Sequence, residues 1–166
     1  MVLAFIDFGS HDLDGWASIS QLVVTGVAVF ALIGAIVQTI ITRSAHRQAL
    51  TYNYTARFSD PERIKHYAKT SELFDLDGTD ADTRWAEYES WSIEEQLDAL
   101  VFPNLFEELA GMYNRGLIDK KIAKEFFGTP ASAVWENAAW FVGRIRKSDA
   151  SYYTQWETML RKMDLL

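Results

Sequence analysis

From Gly15 to Thr42 the chain carries no charged side chain, and between Leu22 and Ile41 only Thr25, Gln38 and Thr39 interrupt an apolar run. At about 1.5 Å rise per residue, such a run crosses the roughly 30 Å hydrocarbon layer of a bilayer. A long core helix in a soluble protein keeps a polar face, whereas here Val, Leu, Ile, Phe, Ala and Gly go all round. The pattern predicts one transmembrane helix. No Lys or Arg precedes it, and it exceeds the roughly 7 to 15 residues of a signal-peptide core, so it is expected to be retained.

Beyond Arg43 the pattern changes to apolar residues at three- and four-residue steps separated by helix start and stop signals. The helical pattern runs on to about Arg57. Ser59 and Asp60 ahead of Pro61 predict a new helix to about Phe74. The acidic stretch Asp75 to Thr83 reads as a loop leading into a helix near Thr83. Ser92 with Glu95 forms a capping-box pattern, after which Leu97, Leu100, Val101, Leu105, Leu109 and Met112 mark one buried face. Pro103 requires either a kink or a restart within that run. Gly116 is a stop signal and Asp119 a cap for a short helix ending near Gly128. Thr129 and Pro130 open the next, to about Lys147, and Ser148 or Asp149 starts a last helix to about Met163. No alternating strand pattern appears. The fold class is therefore all-α: one N-terminal transmembrane helix followed by an antiparallel helical bundle.

Charge orients this arrangement. All 16 Lys and Arg follow the apolar run, with Arg43 and Arg47 directly after it, while the leading segment carries Asp7, Asp12 and Asp14. Basic residues collect on the cytoplasmic side, so the expected organisation is a short acidic extracytoplasmic tail at 1–17, a transmembrane helix at 18–43 and a cytoplasmic helical domain at 44–166. The expected location is a bacterial inner membrane, with the N-terminus out. Trp16 falls where an outer-interface anchor belongs, and Tyr52 and Tyr54 fall just past the inner interface. A net charge of −7 disfavours nucleic acid. The absence of cysteine removes disulfides and thiolate chemistry.

Little else points to chemistry. Asp75, Asp77, Asp80 and Asp82 surround Gly78, but placing Gly78 sixth in an EF-hand loop puts Arg84 where the bidentate Glu belongs, so a solvated, capping loop is the better reading. His11, His46 and His66 are scattered and lack metal-ligand spacing. No G-x-S-x-G, Walker or G-x-G-x-x-G pattern occurs. Glu107 and Glu108 are adjacent and so cannot share a helix face. One of them is expected to pair with Arg144 or Arg146 from a later helix and to fix the bundle's register. No catalytic residue, metal ligand, cofactor or small-molecule substrate is assigned.

Contact surfaces are better supported. Gly26, Ala31, Gly34 and Ala35 could allow close helix approach within the span, and Gln38 calls for a hydrogen-bond partner in hydrocarbon. Of the tryptophans, Trp85, Trp91, Trp135, Trp140 and Trp156 lie after the span and are expected mostly in the core. Tyr152, Tyr153 and Trp156 are the candidate partner-facing surface.

The stretch from Asn104 to Asp119, N-L-F-E-E-L-A-G-M-Y-N-R-G-L-I-D, followed by Trp135–Glu136 and Arg144–Arg146, resembles the bacterial and phage family called domain of unknown function 4760. Its most telling positions are Asn104, Phe106, Glu107, Ala110, Gly116, Ile118 and Asp119. The resemblance implies one N-terminal membrane helix followed by a helical bundle, and it transfers no catalytic or binding residue. The acidic loop is not expected of the family. Together these features suggest a non-catalytic accessory, assembly or scaffold subunit with a membrane-protein partner or as a homo-oligomer. The alternative is a membrane-anchored sensor or effector in stress response or phage defence.

Overall fold

The computed structural model describes the backbone of residues 10–166 and side chains from Ser20 onward, except those of Leu22 and Ile64. Asp7 and the side chains of Asp12, Asp14, His11 and Trp16 lie outside the described residues. Among the described residues every regular element is an α-helix. The chain divides into two compact units, Met1–Arg43 and Ser44–Leu166.

Helix α1, Ser10–Phe58, begins in the first unit and ends in the second. It contains a stretch, from Val23, that is long and apolar enough to cross a membrane. None of that stretch's apolar window is buried against protein; Phe30 is 78% exposed.

The second unit is a helical bundle of α2 (Pro61–Phe74), α3 (Ala81–Ser90), α4 (Ile93–Ala99), α5 (Val101–Asn114), α6 (Lys120–Ile145) and α7 (Thr154–Lys162), together with the end of α1. Several start signals act as predicted. Asp60 caps α2 through the Glu62 N–H, Ser92 and Glu95 form a reciprocal capping box on α4, and Asp119 accepts from Lys121 N–H and Ile122 N–H to open α6. Asp80 accepts from Asp82 N–H and Thr83 N–H, so α3 starts at Ala81, two residues before Thr83. Gly116 stops α5 at φ 69°, a left-handed conformation that favours glycine.

Three expectations are corrected. The expected break at Gly128 is absent, and α6 continues through Pro130. A proline inside a helix costs about 3 kcal/mol, but Phe127, Ala131, Val134, Trp135, Ala138 and Phe141 bury one face on both sides of it and hold the halves in line. The last helix starts at Thr154 and not near Ser148, because Asp149 turns back to accept from the Ser151 N–H and Tyr153 adopts φ 55°. Leu97 is 62% exposed. The chain restarts at Leu100 with Pro103 in the first turn of α5, so the register that buries Leu105 and Leu109 does not carry back into α4.

Helix α5 is the hub, packing on α7, α2, α6 and α4. Phe106, Phe127, Phe141, Trp156 and Met159 fill the core. Trp135 is also buried, and Trp85, Trp91 and Trp140 pack against the core's edge. The end of α1 joins this unit through Phe58, whose ring lies 5.4 to 5.7 Å from those of Phe102, Phe106 and Phe127. Thr51, fully buried, accepts from the Asp119 N–H at 2.9 Å.

Candidate functional site

The polar residues singled out from the sequence prove to be structural, in pairings other than those expected. Glu108 does not meet Arg144 or Arg146. Its carboxylate takes both Arg57 guanidinium nitrogens at 3.1 Å and the Tyr54 hydroxyl at 2.8 Å. Arg57 chiefly holds the Glu108 carboxyl below its ordinary range, while burial, reinforced by Glu108, pushes Tyr54 up to about 12. Tyr54 is thus a packing residue. Glu107 accepts from the Gln155 N–H at 3.1 Å and the Trp156 N–H at 2.8 Å. From α5 it caps α7, supplying the acceptor that Tyr153, at the N-cap position of that helix, does not provide.

The two arginines are engaged elsewhere. Arg144 pairs with Asp82 and lies 4.9 Å from the Trp85 ring centre, tying α6 to α3. Arg146 donates to Glu157 at 2.6 Å and to the Tyr152 carbonyl at 2.8 Å, fixing the turn before α7. The cause of the difference is register: Glu107 and Glu108 are adjacent on α5, so one faces α7 and the other faces the end of α1.

Tyr153 and Trp156 are likewise corrected as partner-facing residues, being 5% and 0% exposed. Trp156 stacks on Phe106 with ring centres 5.1 Å apart and meets Trp135 edge-on at 5.0 Å. Only Tyr152 of that trio is exposed. His46 is exposed, and His66 lies 3.2 Å from Asp98. Among the described residues no group of three or more His, Asp or Glu is arranged to hold a metal ion.

The block that carries the family resemblance now has a physical explanation. Asn104 accepts from the Tyr153 hydroxyl at 3.1 Å, Phe106 stacks on Trp156, Glu107 caps α7, and Ala110 is fully buried. Gly116 ends α5, Ile118 is buried, and Asp119 caps α6 while its N–H binds Thr51. The family described as domain of unknown function (DUF4760) matches residues 21–163. The chain belongs to this family. For this DUF4760 member, comparison with curated proteins and with solved structures returned no match.

Among the described residues, the apolar stretch of α1 from Val23 is unburied. Ala31, Ala35 and Gln38 share one helix face, joined by Ala28 and Thr42 at steps of three and four residues, and all are exposed. Gly34 lies at the edge of that face. Gly26 does not belong to it, since nine residues, or two and a half turns, set it opposite Ala35. In the second unit the same register falls on Ala45, Ala49, Tyr52 and Ala56, again all exposed, whereas Thr51, Tyr54 and Phe58 turn the opposite side of the helix into the core. Every alanine from residue 20 to residue 58 lies in this one register. Chance placement would put only about two in seven there, because a seam of this kind takes two positions per heptad. The spacing is present in the sequence, but Ala31 and Ala35 alone carry little signal until the other alanines are set in the same register.

Proposed function

We propose that this chain is a non-catalytic, membrane-anchored accessory or scaffold subunit that docks through α1 onto a membrane-protein partner. The observation that carries this reading is the apolar surface of α1, unburied by the chain's own fold, from a bundle whose conspicuous polar residues are engaged in capping and ion pairs. Small residues along a membrane helix allow backbones to approach closely, and an exposed amide such as Gln38 gains a partner there. Arg43 and Arg47 directly after the apolar run support an N-out orientation, with the bundle on the cytoplasmic side of a bacterial inner membrane.

Purification of the tagged full chain from its native host in a mild detergent tests this reading. A stoichiometric membrane partner is expected, and Ala31→Leu with Ala35→Leu should release it while leaving the bundle folded. Recovery of a lone monomer under the same conditions would contradict the proposal.

A further inference from the structure

A groove of about 340 Å³ lies between α2 and α5, next to the end of α1. It holds an unusual cation. Among the described residues the Arg63 guanidinium has no carboxylate within 4.0 Å and no hydrogen bond, yet the residue is half-buried. Every other Lys or Arg lacking a carboxylate partner among the described residues is exposed. Arg63 also sits in the first turn of α2, where the helix dipole disfavours positive charge.

Its neighbours in the groove leave that charge without a direct partner. Glu108, which feels Arg63 only at longer range, is occupied by Arg57 and Tyr54, and His66 faces Asp98 at 3.2 Å. Asn104 spends its carbonyl oxygen on the Tyr153 hydroxyl, which leaves its amide N–H2 without a protein partner. Val101 and Leu105 add an apolar lining.

We propose that this groove binds a small monocarboxylate with an apolar tail. The Arg63 fork takes the carboxylate, the Asn104 amide donates a further hydrogen bond, and the tail lies along Val101 and Leu105. Planar guanidinium and carboxylate groups match as a bidentate pair. Among the guanidinium and carboxylate groups that line the groove, Arg57 is balanced by Glu108 and Arg63 is left over, which suits a monoanion. A phosphate monoester, carrying about −1.5 to −2 at neutral pH, would bring more negative charge than Arg63 matches and would face Glu108 with the excess. The volume falls at the small end of ligand sites, which run from roughly 300 to 1,000 Å³. This inference stands independently of the role proposed for α1.

Nuclear magnetic resonance on the full chain in nanodiscs of zwitterionic lipid tests it, with sodium hexanoate, inorganic phosphate and chloride titrated at constant ionic strength. Hexanoate should shift the Asn104 side-chain amide and the Arg63 Nε–H signals to saturation, and phosphate and chloride should not. Arg63→Gln, which removes no side-chain hydrogen bond or ion pair within the protein, should keep the remaining spectrum and weaken hexanoate binding at least about tenfold, the order expected for losing a charged hydrogen bond. Equal, non-saturating responses to all three salts would overturn the proposal. So would saturation by phosphate in preference to hexanoate, or unchanged hexanoate affinity in Arg63→Gln.

Discussion

Glu107 satisfies two backbone N–H groups at the start of α7 from a different helix. Its removal therefore unties a tertiary contact as well as a cap. Glu107→Ala should destabilise the bundle by about 1 to 2 kcal/mol, the order for losing hydrogen bonds to a charged acceptor and stranding the part-buried Trp156 N–H, measured by denaturant unfolding of the full chain in detergent. Glu107→Gln, which keeps one accepting oxygen, should lose less. Leu97→Ser provides the contrast: at 62% exposure it should change stability by less than about 0.5 kcal/mol. Among the carboxylates held low by arginine partners, Glu157 and Glu108 contribute to acid sensitivity. Glu157 is held below the usual carboxylate range first by Arg161 and then by Arg146, and Glu108 by Arg57. Because folding lowers these values, their stabilisation is complete above the unfolded Glu value of about 4.3 and is lost as pH falls below it toward the folded values. Glu157→Gln should flatten the fall in melting temperature below that pH, and an unchanged acid limb would refute the assignment.

At the scale of elements, what the sequence made legible was what depends on local chemistry. Asp60, Ser92 with Glu95, Gly116 and Asp119 act within a few residues of where they stand, and each marks a helix end in the structure. Tertiary effects were not legible. Pro130 reads locally as a start, but the buried face running from Phe127 to Phe141 overrides it. Pro130→Ala should therefore leave the helix content of the bundle unchanged and raise stability, since it restores a backbone donor without moving the face; a loss of stability would show that the proline shapes α6. The same limit hid the ion pairs. Residue type identified Glu107, Glu108, Arg144 and Arg146 as structural, but their partners depend on which face of α5 meets which helix.

The whole molecule combines an apolar stretch of α1 with a bundle whose block Asn104–Asp119 serves packing and capping. Orientation is the first consequence. Single cysteines at Ser10 and Ser148 in this cysteine-free chain should react with a membrane-impermeant thiol reagent on intact cells at Ser10 and not at Ser148. The reverse would place the bundle outside and contradict the proposed orientation. The most direct test of the central claim is site-specific photo-crosslinking along α1 in native membranes. Probes at Ala28, Ala31, Ala35 and Gln38 should form one protein adduct, while probes at Gly26, Ile33 and Val37 should form little. Adducts spread evenly around the helix, or absent from every position, would contradict docking through the alanine face.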